Sequence, residues 1–193
     1  NETLALDSDT FIIDPSIMDV FTLLDRFDMA AAHTPIRKTT LVEEIPLSFT
    51  QFNCGVILFK KSESTQSMLM KWEELMANGD LKWRQPDDQG CFRHCLWHSD
   101  VRIATLSSEF NLRTPYPGFL GEGGKAVIIH GKEYEYEEVS LALNRELCNR
   151  IVLPSVNYFF NGGVIVTEKS KFYKLLKLIG DTYLFLTKMV KRE

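Results

Sequence analysis

The sequence lacks a long hydrophobic run and an excess of basic residues. No apolar run approaches the roughly 18 to 20 residues that a membrane-spanning helix needs, so we expect no transmembrane segment. The net charge of −4 and the pI near 5.6 argue against nucleic acid as a partner, because nucleic-acid-binding surfaces are usually rich in Lys and Arg. With 45% hydrophobic and 25% charged residues, the composition is typical of a globular protein with a core of its own.

Cysteines are also few. The four in this chain of 193 residues are too sparse and too irregularly spaced for a disulfide framework: Cys54, Cys91, Cys95 and Cys148. No basic segment followed by an apolar stretch opens the sequence. We therefore expect reduced thiols and a cytoplasmic location.

One cysteine-containing stretch could bind a metal. Cys91 and Cys95, or His94 and His98, stand four residues apart, so either pair could share a helix face and bind zinc. No second ligand pair follows at a matching spacing. Buried cysteines in a packed helix are the interpretation that the sequence favours.

The most informative stretch runs from Leu4 to Asp14 and carries two acids one residue apart, Asp7 and Asp9. In an extended segment they would project from the same side at the end of a strand. Two such carboxylates repel each other unless a cation lies between them, and hard divalent ions take oxygen ligands. The stretch predicts a metal site, with solvated acids at a turn as the alternative.

Further along, apolar segments alternate with helical patterns. Strands are predicted at 29–33, 52–59, 101–104 and 125–132, and helices at 17–27, 62–78 and 88–97. This order predicts the α/β class with a mostly parallel mixed sheet flanked by helices, in which ligands gather at strand ends. Polar residues lie at or just after the ends of apolar runs: Asp7, Asp9, Asn53, Asp88 and His130.

The part beyond Glu133 is less informative. A helix is predicted at 137–147, and 160–165 echoes 52–57, an echo that we attribute to chance because no longer period supports a repeat. The amphipathic segment 172–190 ends in basic residues. It predicts a packed C-terminal helix, with peripheral membrane contact as the alternative.

Taken together, the motifs point to a family. They are Leu6-Asp7-Ser8-Asp9-Thr10, Phe52-Asn53-Cys54-Gly55-Val56, Asp88-Gln89, Phe110-Asn111 and Ile129-His130-Gly131. In this order the set resembles the nucleotide-sugar-dependent glycosyltransferases of the A-type fold, in particular the glycogenin-like branch. The resemblance covers residues 3–132.

The resemblance implies transfer of a sugar from a UDP- or GDP-linked donor to a carbohydrate or glycan acceptor, with retention favoured over inversion. The developing charge on a diphosphate leaving group needs neutralisation, which a divalent ion supplies. An imidazole ligand favours Mn²⁺ over Mg²⁺. By this resemblance the roles are metal binding by Asp7, Asp9 and His130, donor binding by Ser8, Asn53, Gly131 and Lys132, and catalysis by Asp88 and Gln89.

The sequence departs from the family in two places. The family has a nucleotide-binding half before its Asp-x-Asp strand, so we expect that half to be missing here. Lys132 directly follows His-Gly, whereas the family's lysine comes several residues later, near a Pro-Trp pair. We expect residues 1–132 to form the catalytic, metal-binding part and 133–193 a C-terminal extension packed on it.

Two other function classes remain open. One is a non-catalytic carbohydrate-binding or scaffold domain on the same fold. The other is a phosphatase or nucleotidyltransferase that uses the same two aspartates, and the absence of a Walker-type Gly-Lys loop counts against it.

Overall fold

The computed structural model describes residues 1–34, 44–78, 88–114, 118–131, 136–145, 147, 149–153, 156–159 and 163–165. It divides into two compact units, the first made of 1–112 with 126–130 and the second of 113–125 with 131–193. The division thus falls next to the expected boundary at 132, but 113–125 joins the second unit. The functional roles expected for the two parts stay predictions.

The described strands are β1 (Glu2–Leu6), β2 (Thr10–Ile12), β3 (Met29–His33), β4 (Phe52–Lys60), β5 (Ile103–Leu106), β6 (Leu112–Arg113), β7 (Gly118–Leu120), β8 (Ile128–His130), β9 (Arg150–Leu153), β10 (Val156–Phe159) and β11 (Gly163–Ile165). The α-helices are α1 (Glu63–Asn78), α2 (Asp88–Trp97) and α3 (Tyr136–Asn144), and Pro15–Asp25 and Ser108–Phe110 are 3₁₀ helices. This is a mixed α/β protein.

The central sheet of the first unit has the order β1-β4-β3-β5. Because β4 is antiparallel to both β1 and β3, while β3 and β5 are parallel, three strands run one way and β4 the other. The predicted mixed sheet is therefore confirmed, although among its described strands only the neighbouring pair β3–β5 is parallel. The direction of β4 could not be predicted from its sequence, because β4 is as apolar as a buried parallel strand would be.

Both faces of this sheet are covered, and β3 shows how. Met29 and Ala31 pack with Met68 of α1 and Phe92 of α2. Ala30 and Ala32 face the opposite core, which includes Ile17, Val20 and Leu24 of the first 3₁₀ helix. A strand buried on both sides has no polar face, which explains the uninterrupted apolar run in β3. By contrast, β1 is an edge strand with mostly exposed side chains, not the core strand that its sequence suggests.

Side-chain hydrogen bonds cap the starts of two helices. Asp14 Oδ1 accepts hydrogen bonds from the backbone N–H of Ser16 at 2.9 Å and from its hydroxyl at 2.7 Å. Ser62 Oγ accepts one from the N–H of Thr65 at 3.1 Å, at the start of α1. The first helix, Pro15–Asp25, is a 3₁₀ helix. The prediction of an α-helix at 17–27 is therefore wrong in helix type.

A smaller sheet, ordered β2-β8-β6, carries residues of the candidate site. Strands β2 and β8 are antiparallel, and Thr10 pairs with His130. The pairing continues through the N–H of Ile13, which donates to the carbonyl of Val127 at 2.9 Å. This register joins the segment after Asp9 directly to the end of β8.

The second unit contains a sheet ordered β11-β10-β9-β7, whose described registers are antiparallel, and helix α3. Among the described residues, no helix combines the length and the apolar character that crossing a membrane requires. The predicted helix at 172–190, the echo residues Asn161 and Gly162, and Lys132 lie outside the described residues.

Candidate metal centre

The two acids of the Asp-x-Asp motif lie in a turn between β1 and β2. Asp7 N–H donates to the carbonyl of Gly55 at 2.9 Å, which fixes the end of β1 against β4. The carbonyl of Asp7 then accepts from the N–H of Thr10 at 3.1 Å and from its hydroxyl at 2.7 Å. The sequence predicts both carboxylates on one side of an extended strand. The structure brings them together through a turn instead.

Both carboxylates approach the imidazole of His130. Its Nε2 lies 3.6 Å from Oδ2 of Asp7 and 3.4 Å from Oδ1 of Asp9. One donor atom from each residue lies within 4.8 Å of the other two. The imidazole is buried, with 6% of its side chain exposed, whereas 53% of Asp7 and 35% of Asp9 are exposed. The group therefore has a rigid nitrogen at its base and two oxygens open to solvent.

A chain of hydrogen bonds determines which nitrogen of His130 carries its proton. The backbone N–H of Gly55 can only donate, so the atom of Asn53 that it contacts at 3.1 Å is the oxygen. That oxygen also accepts from Nδ2 of Asn111 at 2.8 Å. The remaining amide atom of Asn111, 2.9 Å from Nδ1 of His130, is consequently an oxygen.

It follows that Nδ1 of His130 is the donor in this chain, while Nε2 faces the two carboxylates. A nitrogen that faces two anions is stabilised by a proton or a metal cation between them. Metal-binding histidines are commonly oriented in this way, through a hydrogen bond from the nitrogen that does not bind the metal. The chain of Gly55, Asn53 and Asn111 therefore orients the His130 ring with Nε2 toward Asp7 and Asp9.

Gly55 is required by the close approach of these groups. A Cβ atom at this position would lie 2.1 Å from Cε1 of His130 and 2.8 Å from Oδ2 of Asp7. Both contacts are far shorter than real Cβ atoms allow. Gly55 is therefore required because a larger side chain would not fit beside His130 and Asp7, and not because of an unusual backbone angle.

Asn53 and Asn111 are both buried and hydrogen-bonded to each other. Asn53 is 3% exposed and its oxygen accepts two hydrogen bonds inside the protein, so the geometry favours positioning of His130 over direct contact with a sugar. Asn111, 6% exposed, belongs to the Phe110-Asn111 motif but was assigned no role from the sequence. Asn111 lies at the end of a 3₁₀ helix, beside β8, and the sequence alone could not predict this contact.

The other predicted residues lie outside this group of donor atoms. Asp88 and Gln89 begin α2, where Oδ1 of Asp88 accepts from the N–H of Gln89 at 2.7 Å. Ser8 is an exposed residue of the turn. Gly131 has a φ of +143°, which only glycine adopts readily, and its carbonyl accepts a hydrogen bond from the hydroxyl of Tyr136. The donor-binding and catalytic roles of these residues stay predictions.

A second group of potential metal ligands consists of Glu44, His94 and His98. Burial, together with the charge of His98, lowers the pKa of His94 from its ordinary value. Cys91 and Cys95 of the same helix are buried free thiols, and burial raises the pKa of Cys95 to about 11. The expectation that these cysteines pack in the core is therefore consistent with the structure.

Comparison of the chain with known protein families finds no family that matches it, and no curated protein matches it either. Its chemistry is therefore argued from the two groups of side chains described above.

Proposed function

We propose that the protein is a metal-dependent glycosyltransferase, similar to the glycogenin-like branch of the A-type fold, that moves a sugar from a nucleoside-diphosphate donor to an acceptor hydroxyl. The observation that carries this proposal is the convergence of Asp7, Asp9 and His130, with Nε2 of His130 at 3.6 Å and 3.4 Å from the two carboxylates. The mixed α/β architecture, with this group following a strand of a mixed sheet, is compatible with the A-type fold.

The chemistry of the three ligands favours a particular ion. Two carboxylates and one imidazole suit a divalent cation of intermediate hardness, and the nitrogen ligand favours Mn²⁺ over Mg²⁺. Because both carboxylates are partly exposed, the face of the ion that points away from His130 would be open to a substrate. A buried imidazole and open carboxylates fit an ion that must also bind phosphate oxygens.

A nucleoside diphosphate is a poor leaving group until its developing charge is neutralised. When bound, the divalent cation supplies this neutralisation. Asp7, Asp9 and His130 would hold this cation, and the turn that contains Asp7 and Asp9 is fixed by its hydrogen bonds to Gly55 and Thr10. Little reorganisation of the protein is then needed during the reaction, which is the usual origin of electrostatic catalysis.

The remaining roles follow from the resemblance alone. Asp88, with Gln89, would lie near the anomeric carbon and stabilise an oxocarbenium-like transition state, and the reaction would retain the anomeric configuration. Ser8, Gly131 and Lys132 would contact the donor. The free thiols at Cys54, Cys91 and Cys95 are compatible with a reducing compartment such as the cytoplasm.

The test is release of UDP or GDP from a panel of nucleotide sugars, with Mn²⁺, with and without glycan acceptors. We expect metal-dependent release that EDTA abolishes and that Asp9→Asn loses, while the matched variant Asp19→Asn, on the exposed side of the first 3₁₀ helix, keeps it. If no donor is cleaved by a folded protein that still binds Mn²⁺ and glycans, the protein is a carbohydrate-binding domain and the proposal fails. Hydrolysis of a simple phosphate ester instead would identify a phosphatase.

A further inference from the structure

We propose that Glu44, His94 and His98 form a second metal site, which binds Zn²⁺ and joins the segment 44–49 to helix α2. None of its three residues is assigned to the glycosyltransferase reaction, so the site does not depend on that assignment. Its three ligands come from two parts of the chain that are fifty or more positions apart, which is why only the histidine pair could be recognised from the sequence.

The distances from the Glu44 carboxylate to the two imidazoles are close to the distances between ligand atoms in tetrahedral zinc coordination. His94 and His98 stand one helical turn apart on α2, and their ring centroids are 4.6 Å apart. Oε1 of Glu44 lies 3.8 Å from Nδ1 of His94 and 3.5 Å from Nε2 of His98. Zinc with bonds of about 2.0–2.2 Å holds neighbouring ligands about 3.3–3.6 Å apart, so only small movements are needed.

The segment that follows Glu44 is held against α2 by contacts that do not involve a metal. The buried side chain of Arg93 donates to the carbonyl of Pro46 at 2.7 Å and twice to that of Phe49, at 2.8 and 3.1 Å. Its guanidinium also lies 5.6 Å from the centre of the Phe49 ring, which packs edge-on against Trp97 at 5.2 Å. The backbone next to Glu44 is therefore held against α2 before any ion binds.

The ligand types indicate which ion the site prefers. Two imidazoles and one carboxylate form the His₂Glu set found in zinc sites that keep a fourth position for water. The group borders a cleft of about 640 Å³, which gives that fourth position access to solvent. Glu44, Glu74 and Lys71 line the cleft and leave it with a net negative charge, which favours a cation. Hard ions such as Mg²⁺ prefer oxygen ligands and should bind poorly.

The proposal is tested by titrating the full chain with Zn²⁺ and, in parallel, with Co²⁺, whose visible absorption reports tetrahedral coordination. To separate the two groups, the titrations use the Asp7→Asn/Asp9→Asn variant, in which the other metal centre is impaired. We expect one Zn²⁺ per chain and a tetrahedral Co²⁺ spectrum. His94→Gln/His98→Gln in the same background should weaken binding at least about 100-fold, since loss of outer partners alone costs about 10–100-fold.

Matched controls separate this site from general histidine binding. His33→Gln removes an exposed imidazole on β3 and should leave both the stoichiometry and the Co²⁺ spectrum unchanged. Glu44→Gln keeps the shape of the side chain but removes its charge, and it should weaken binding about tenfold or more. The inference is wrong if the histidine double variant, folded by circular dichroism, retains the Co²⁺ spectrum, or if the aspartate double variant binds no Zn²⁺.

Discussion

The two groups of potential metal ligands in the first unit are built from opposite proportions of the same side chains. Asp7, Asp9 and His130 offer two carboxylates and one buried imidazole, whereas Glu44, His94 and His98 offer one exposed carboxylate and two imidazoles. Because oxygen-rich sites suit Mn²⁺ or Mg²⁺ and nitrogen-rich sites suit Zn²⁺, the two should select different ions. The two groups thus differ in the ion that each would prefer.

The two groups also differ in how they are held in place. His130 is oriented by a chain of side-chain hydrogen bonds through Asn111 and Asn53. Glu44, in contrast, is placed by backbone carbonyls that Arg93 binds nearby. A change in either support should therefore affect one metal and leave the other almost untouched.

The largest effect is expected from removing both carboxylates of the first group. Asp7→Asn/Asp9→Asn should lower Mn²⁺ affinity at least about 100-fold and abolish metal-dependent nucleotide binding, because neutral amides are weak ligands for a hard cation. Isothermal titration with Mn²⁺ and UDP or GDP measures this. The control is Asp19→Asn, and Zn²⁺ binding at the second group should persist in both variants.

A similarly large effect is expected from filling the space beside His130. Gly55→Ala places a methyl group 2.1 Å from the imidazole carbon Cε1, so either the ring or β4 must move. We expect a loss of about 1–3 kcal/mol in the free energy of unfolding, together with loss of Mn²⁺ binding. Urea denaturation and Mn²⁺ titration measure the two effects.

Gly121→Ala is the matched control for this change, because a Cβ atom there meets nothing within 4 Å. Wild-type Mn²⁺ affinity in a folded Gly55→Ala protein would contradict the placement of His130.

A smaller effect should follow from breaking the asparagine chain. Asn111→Ala should weaken Mn²⁺ binding about 10–100-fold, because His130 loses the partner that fixes its tautomer. Nitrogen NMR shifts of the His130 ring should change from the Nδ1–H form toward a mixture. Asn111→Asp keeps an oxygen beside Nδ1 but loses the donor to Asn53, so it should recover the Nδ1–H tautomer while part of the affinity stays lost. An unaltered ring spectrum in Asn111→Ala would show that Asn111 does not orient the imidazole.

The smallest effect concerns a carboxylate that the protein neutralises with its own cations. Asp28 accepts hydrogen bonds from Arg102 at 3.0–3.1 Å and lies 3.3 Å from the Lys60 ammonium. Chiefly through the Arg102 hydrogen bonds, the pKa of Asp28 falls well below its ordinary value of 3.8. Asp28→Asn should cost about 1 kcal/mol at neutral pH, since water screens the largely exposed Arg102.

The sign of the pH dependence follows from that lowered pKa. The contribution of Asp28 is complete above the pKa of the unfolded chain and is lost as pH falls through the lower pKa of the folded protein. The stability difference between wild type and Asp28→Asn should therefore shrink when urea denaturation is repeated from neutral pH down to about pH 3. Metal binding at neither group should change, and a constant difference across this range would contradict the ion-pair assignment.

The fold was predictable where local patterns decide it. Strands β3 and β4 lie where the sequence predicts them, because hydrophobic patterns are local. Strand direction was not predictable, since β4 pairs with segments far away in the chain and its composition is the same in either direction.

For the candidate site, the potential metal ligands could be predicted from the sequence, but the residues that hold them in position could not. Asp7, Asp9 and His130 stood out as polar residues at strand ends, and the structure brings them together. Asn111 and Glu44 could not be found, because their significance depends on contacts with residues 19 and at least 50 positions away. Asn53 was expected at a substrate and instead binds inside the protein, an outcome fixed by the buried β4 backbone.

The most direct test of the central claim is the loss of the free Mn²⁺ electron paramagnetic resonance signal on titration with protein, with and without UDP or GDP. The account predicts one bound Mn²⁺ per chain at the Asp7–Asp9–His130 group, tighter binding when one of the nucleotides is present, and loss of both effects in Asp7→Asn/Asp9→Asn. Mn²⁺ binding that is unchanged in that variant, or that neither nucleotide affects, would contradict it.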